Sequence, residues 1–297
     1  KTEILFDSDM IVANRRPRDL GKSSLWAAHA VSVEGGETIG DTQFETDRTK
    51  FIGRGRTLRN PRALEADRPL SNSDGPVLDP VMSLRKRIKL EPNQAARVIF
   101  ITAVAESKSE VVKLANKYKN AGATERAFEM SVSRGKVELD YLNLKSDELG
   151  LFQQMLPHII YLSPVRMKKA DYLLKNRKGQ SGLWAYGISG DIPIVLLEIS
   201  KKEEIPILKQ LLKAHEYWRM KGLYVDLVIL NNDKGGYIDA LGDKIKDVIS
   251  SSFAYNIIGE YGGVFLLNKS NLKDEDYILL NTVARLSLTA DMPIERQ

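Results

Sequence analysis

The chain has 297 residues, 43% of them apolar and 28% charged, which gives room for one large globular domain or two ordinary ones. No run of eighteen apolar residues is present, so no membrane-spanning helix is expected, and the absence of cysteine excludes disulfides, thiolate metal sites and thiol nucleophiles. The net charge of +5 comes from 44 basic and 39 acidic residues. The densest clusters are Arg15-Arg16-Pro17-Arg18, Arg54-Gly55-Arg56 and Arg85-Lys86-Arg87, but acids are interleaved and no nucleic-acid motif accompanies them. They read as solvated surface, with nucleic acid excluded as a partner.

Up to Ala105 the apolar residues fall in short runs with some period-two alternation, broken by turn residues. Glu3–Ala13 reads as one strand, followed by a polar turn over Arg15–Gly21. Leu25–Val33 is a second strand with Leu25, Ala27, His29, Val31 and Val33 on one face, and Glu34-Gly35-Gly36 is the next turn. Thr38–Asp47 is a third strand. Ser83–Leu90 and Ala96–Val104 look like an antiparallel pair around Glu91-Pro92-Asn93-Gln94. Short strands with turns every ten or so residues predict a β-sandwich. Arg48–Pro80 has little periodicity, and so long an excursion in a compact domain is usually functional or interfacial.

Beyond Ala105 the period becomes helical. Ser107-Lys108-Ser109-Glu110 has the form of a capping box, and Val111, Leu114, Ala115 and Tyr118 then share a face. Thr124–Leu142 continues with Phe128, Val132 and Leu139 or Leu142. Leu149, Phe152, Leu156, Ile159 and Ile160 form a further stripe. Pro164 interrupts, and a basic stretch over 166–178 leads to the loop at Gly179. Pro206 suits a first helical turn, with Leu208, Leu211, Leu212, His215 and Trp218 on one face after it. Val225–Leu230 and Val264–Leu267 read as paired strands. A helix marked by Ile238, Leu241, Ile245, Val248 and Ile249 lies between them, and Asp274–Leu288 reads as the last helix.

The three histidines are not at metal-ligand spacing, so neither a metal site nor a cofactor is expected. Gly187-Ile188-Ser189-Gly190-Asp191 lacks the spacing of a nucleophile elbow. Arg54-Gly55-Arg56 reads as a glycine bulge whose arginines have Glu45, Asp47 and Arg48 as neighbours. The most informative stretch is the Gly-punctuated loop carrying Trp184, Tyr186 and Asp191. As structure, Ser189 and Asp191 cap the backbone before the apolar run at Ile192–Val195. As function, Asp191 accepts from sugar hydroxyls while Trp184 or Tyr186 stacks on a sugar ring, because each hydroxyl buried in a site must find a partner. His215-Glu216 reads as a hydrogen-bonded helical pair beside the core.

Five segments, FETDRTKFIGRGRTLRNP, PLSNSDGPVLDPVMSLRKRIKLEP, NRKGQSGLWAYGISGDIPIVLLEI, LLKAHEYWRMKGLYVDLVILN and GGVFLLNKSNL, are similar, in order, to cyclic β-1,2-glucan synthases in the part preceding their C-terminal phosphorylase-like domain. They also resemble β-1,2-oligoglucan phosphorylases of glycoside hydrolase family 94. The resemblance runs from about Asp7 to Leu288. It implies an α+β chain: a partial β-sandwich over 1–105, connecting helices over 106–178, and a small mixed or (α/α)-barrel-like region over 179–297. If the sandwich lacks its opening strands, residues 1–105 should show an open sheet edge or an apolar patch. The phosphorylases bind sugar with a loop ending in Arg-Asp. Gly182–Asp191 is similar in placement, with Asp191 at that aspartate and Gly190 where the arginine would stand. No segment resembles the one supplying the general acid.

The resemblance therefore implies a scaffold and glycan-contact segment of a bacterial β-1,2-glucan-processing enzyme, a glycosyltransferase or phosphorylase, with no catalytic residue in this chain. Substrate-binding residues would be Trp184, Tyr186 and Asp191. Partners would be a β-1,2-glucan or other glucan oligosaccharide and neighbouring domains, without direct membrane insertion and in the cytoplasm. A stand-alone carbohydrate-binding module and a non-binding interdomain piece are the alternatives. The opening Lys1-Thr2-Glu3, without an initiator methionine, reads as part of a longer polypeptide or as a processed chain.

Overall fold

A computed structural model describes residues 2–7, 9–15, 24–65, 67–233 and 239–297. The polar turn expected at Arg15–Gly21 lies, beyond Arg15, outside the described residues, as does Ile238. The chain divides into two compact units, one ending at Arg134 and one running from Gly135 to Gln297.

The first unit contains β1 (Thr2–Asp7), β2 (Met10–Arg15), β3 (Leu25–Glu34), β4 (Glu37–Asp47), α1 (Arg48–Ile52), β5 (Gly75–Val77), β6 (Pro80–Lys89), β7 (Arg97–Ala105), α2 (Lys108–Lys119) and the start of α3 (Ala121–Leu142). The single strand expected over Glu3–Ala13 is instead a hairpin, with Asp7 opposite Met10. Asp9 adopts φ 57°, a left-handed conformation that aspartate tolerates better than most residues, and this reverses the chain between two apolar stretches.

Five strands form an antiparallel sheet in the order β5-β1-β2-β3-β7, while β4 and β6 form a separate two-stranded sheet. The antiparallel pair expected across Glu91–Gln94 is thus corrected. The turn is present, with Gln94 N–H donating to Glu91 O, but β6 pairs with β4 and β7 pairs with β3. The connections β3–β4 and β6–β7 both change sheets, and they touch each other. The Gln94 side-chain amide donates to Gly35 O at 2.6 Å. A Cβ on Gly35, which sits at φ +83°, would come within 2.6 Å of Ala95 O. A hairpin-like sequence fixes the turn but not the sheet its arms join.

Register separates the two faces of the five-stranded sheet. Met10, Val12, Ala28, Ala30, Ile101 and Ala103 share the face covered by α2, through Val111 and Ala115. The stripe expected over Leu25–Val33 is therefore the other face, and the most deeply buried residues of β3 lie on the Ala28–Ala30 side. On that other face Ile4, Ile11 and Ala13 pack against Phe44 of β4, with Phe6 and Phe44 stacked at 4.1 Å. Over β3 and β7 the same face carries Leu25, Val98, Phe100 and Val104, all exposed, with Phe100 at 60%. This is an apolar patch of the kind expected.

Helix α2 begins as the sequence indicates, with Ser107 Oγ accepting from Glu110 N–H at 3.2 Å. The stripe expected along α3 is corrected. Phe128 and Val132 are exposed, and burial is confined to Glu138 and Leu142 near the end of the helix. Ala121 at its start packs against the core beneath α2, and Leu142 at its end belongs to the core that also holds Phe152 and Ile159.

The second unit adds α4 (Ser146–Ile160), a 3-10 turn (Pro164–Lys169), α5 (Ala170–Lys175), a 3-10 turn (Gln180–Tyr186), β8 (Ile194–Ile199), α6 (Ile205–Met220), β9 (Asp226–Asn231), α7 (Ala240–Ser250), β10 (Val264–Asn268), α8 (Asp274–Val283) and β11 (Leu286–Thr289). The strands form a parallel sheet in the order β10-β9-β8-β11. The near-continuous apolar runs of β8, β9 and β10 are what a sheet covered on both faces requires. Helices α4, α6 and α7 share the core of one face, and α8 and the 3-10 turn at Leu183 share that of the other.

Of the two descriptions offered for this region, the mixed one holds, and the architecture is α+β overall. The final helix expected to reach Leu288 stops at Val283. Leu286 and Leu288 alternate inward as an edge strand beside β8. Pro206 opens α6 as expected, and its stripe is the centre of the core, with Trp218 fully buried and donating Nε1–H to Phe152 O at 3.1 Å. Burying each large apolar side chain of this kind contributes roughly 1.5–3 kcal/mol.

Candidate functional site

The loop before β8 is built on small residues at close approaches. A Cβ on Gly182 would meet Leu279 Cδ2 at 2.7 Å, and one on Gly190, at φ +75°, would meet Gln180 and Leu183 side chains at 2.9 Å. Leu183 and Ile188, both buried, pin the loop to the core beneath. Between these anchors Trp184 projects outward, 63% exposed, with its Nε1–H donating to Ser189 O at 3.3 Å.

Asp191 is exposed on the same loop. Its Oδ1 accepts from Gln180 Nε2 at 2.8 Å, and its backbone N–H donates to Ser189 Oγ at 3.2 Å. Gln180 Nε2 also donates to Ser189 O at 2.8 Å, so one amide ties both ends of the loop together. The structure thus gathers Trp184 and Asp191 around Ser189.

Tyr186 differs. Its hydroxyl donates to Asp276 Oδ2 at 2.9 Å on α8, and Lys178 Nζ donates to the other oxygen of the same carboxylate at 2.7 Å. The hydrogen bond from Lys178 holds the Asp276 carboxyl below its ordinary range, while burial and the Asp276 bond raise the Tyr186 hydroxyl. Tyr186 is a half-buried brace between loop and helix.

Sequence reasoning missed Asp226, the first residue of β9, which is 1% exposed. Its backbone N–H donates to Pro193 O at 2.9 Å, so it lies directly beneath the loop. Oδ1 accepts from Gly262 N–H at 2.9 Å, while Oδ2 is buried without a hydrogen-bond partner among the described residues. Burial pushes this carboxyl up to about 6; the Gly262 N–H opposes the shift and the charge of Asp191 adds to it. The signal was an aspartate inside the apolar run Leu223–Leu230.

The histidines are structural. His215 Nε2 lies 2.8 Å from Val225 O, a contact that requires the proton on Nε2, and burial lowers its pKa. Glu216 accepts both Nε and Nη2 of Arg219. His29 Nδ1 meets Thr102 Oγ1, and His158 Nδ1 meets Ser163 Oγ. Among the described residues no group of three or more acidic or imidazole side chains could hold a metal ion. Arg56 pairs with Glu65 rather than with the neighbours expected. Glu45 instead accepts from Ser71 Oγ and Thr46 N–H, and Asp47 caps α1.

An antiparallel sheet backed by a second small sheet and closed by a helix defines the first unit as part of a sandwich domain. Residues 1–121 match the glycosyl hydrolase 94 supersandwich domain. Over 241 residues, 81% of its length, the chain is also 31% identical to the cyclic beta-(1,2)-glucan synthase NdvB of Rhizobium meliloti (strain 1021), and it spans 8% of the length of that relative. The resemblance read from the five sequence segments is thereby shown. No helix among the described residues is long and apolar enough to cross a membrane.

Proposed function

We propose that this chain is a glycan-contact and scaffold segment of a β-1,2-glucan-processing enzyme, and that it is not the catalytic centre. The observation that carries the reading is the outward-facing Trp184 held beside Asp191 on a loop fixed to the core, in a chain similar to a cyclic β-glucan synthase. An exposed indole offers a ring face, and a neighbouring carboxylate accepts from hydroxyls; together they suit a neutral polyhydroxylated ligand. Glycoside cleavage or transfer needs a second, suitably placed carboxyl group. Asp226 senses Asp191, but it lies buried beneath the loop without access to a ligand outside. Tyr186 supports the loop rather than the sugar, so on this reading its role in binding is indirect. Neighbouring domains of a longer polypeptide are the proposed partners, and the cytoplasm the proposed location.

Calorimetric titration with β-1,2-glucan oligosaccharides tests the binding. Saturable binding weakened about tenfold or more by Trp184→Ala and by Asp191→Asn is expected, a loss of about 1.4 kcal/mol or more. Absence of binding would leave a scaffold alone. Enzyme-like turnover of the same oligosaccharides, with phosphate or an acceptor sugar supplied, would overturn the non-catalytic assignment.

A further inference from the structure

A second site-like feature lies elsewhere in the second unit and does not depend on the glycan reading. Lys169 stands beside β11, an edge strand of the parallel sheet. Its Nζ donates to Ser287 Oγ on β11 at 2.5 Å and to Asn281 Oδ1 on α8 at 2.9 Å.

Beside it is a cavity of about 400 Å³. Arg166, Lys169, Arg285 and Arg296 all line it, and no Asp or Glu side chain does among the described residues. Leu173, Leu286 and Met292 supply apolar walls. The hydrogen bonds of Arg166 and Lys169 go to neutral acceptors: Arg166 Nη2 donates to Thr282 O at 2.6 Å, and Lys169 donates to a hydroxyl and an amide. The carboxylate whose charge reaches Lys169, Glu198, is engaged by Lys269 at 2.9 Å, by the Tyr277 hydroxyl at 3.0 Å and by Asn232. Burial lowers the pKa of both Arg166 and Lys169, and the charge of Arg285 lowers Arg166 further. Half-buried cations that repel one another gain most from an anion placed among them. A purely solvated rim would not gather three of them, half-buried, around an apolar wall.

We propose that this cavity binds an organic anion, an oxyanion group carried on a small apolar body. The oxyanion lies among Arg166, Lys169, Arg285 and Arg296, and the apolar part packs on Leu173, Leu286 and Met292.

The test is a calorimetric or NMR titration of the chain with phenyl phosphate, benzoate, inorganic phosphate and uncharged benzyl alcohol. Saturable binding of phenyl phosphate or benzoate at a Kd of about 1 mM or tighter is expected, with inorganic phosphate and benzyl alcohol weaker. Which of the two aromatic anions binds tighter distinguishes phosphate from carboxylate ligands. Arg285→Gln should weaken the favoured anion at least about tenfold. Arg296→Gln, at an exposed rim position that does not threaten folding, should weaken it less. Asp191→Asn should leave it unchanged, which keeps this outcome separate from that of the glycan loop. Failure of both aromatic anions to saturate, equal affinity for benzyl alcohol, or affinity unchanged in both arginine variants would overturn the proposal.

Discussion

Strand β9 of the second unit is buried along all six residues, whereas β7 of the first alternates between buried Ile99, Ile101 and Ala103 and exposed Val98, Phe100 and Val104. The contrast follows from what covers each sheet. The parallel sheet has helices on both faces, so its strands can be apolar throughout. The antiparallel sheet has α2 on one face, and on the other face β4 and β6 cover Ile4, Ile11 and Ala13 while Phe100 and Val104 stay exposed. The second unit therefore exposes loops that are fixed to a closed core. The first offers an apolar sheet face over β3 and β7, larger in character than a scattered exposed side chain.

The sharpest way to test the closed half of this comparison is Trp218→Ala. It removes the largest fully buried side chain and its bond to Phe152 O, so a loss of about 3–5 kcal/mol is expected in denaturant unfolding monitored on the second unit. Ile101→Ala, on the α2 side of β7, should cost the first unit about 2–4 kcal/mol by the same measurement.

Asp226 tests the closed core from its polar side. Its carboxyl is raised from 3.8 to about 6, so the folded state holds the proton more tightly than the unfolded chain does. The stabilisation is full below about 4 and disappears as pH rises through about 6. Asp226→Asn keeps an acceptor for Gly262 N–H and removes the buried charge. It should therefore be more stable than the parent by about 1–3 kcal/mol at pH 8, with the difference shrinking toward pH 4, as read from unfolding midpoints across that range. The smallest effect belongs to Phe100→Thr, one residue from Ile101 but on the open face: a change within about 0.5 kcal/mol. A large loss there would mean that the face is not open in solution.

Much of this was legible in the sequence where a local rule decides. Ser107 caps α2, Pro206 opens α6, and the period of Leu208, Leu211, His215 and Trp218 identifies the buried face because 3.6-residue spacing requires no knowledge of partners. The loop at Trp184 and Asp191 was visible through its glycines, whose close approaches the structure explains. What was hidden depends on partners distant in sequence. Nothing near Gly35 or Gln94 says that the arms on either side join different sheets. Leu286–Thr289 is too short for periodicity to separate strand from helix, and it becomes a strand only because β8 lies alongside. Asp226 was concealed by its apolar neighbours, although a lone carboxylate in such a run is itself a sign of an unusual environment. Phe128 and Val132 kept helical spacing without a core to meet, since a stripe shows which residues share a face and not whether anything covers it.

Hydrogen exchange with a β-1,2-glucan oligosaccharide present tests the central claim most directly, because it reads both units at once. Slowed exchange is expected at backbone amides over 184–191, abolished in Trp184→Ala, with β3 and β7 unchanged. Protection confined to β3 and β7, or protection at 184–191 that persists in Trp184→Ala, would contradict it.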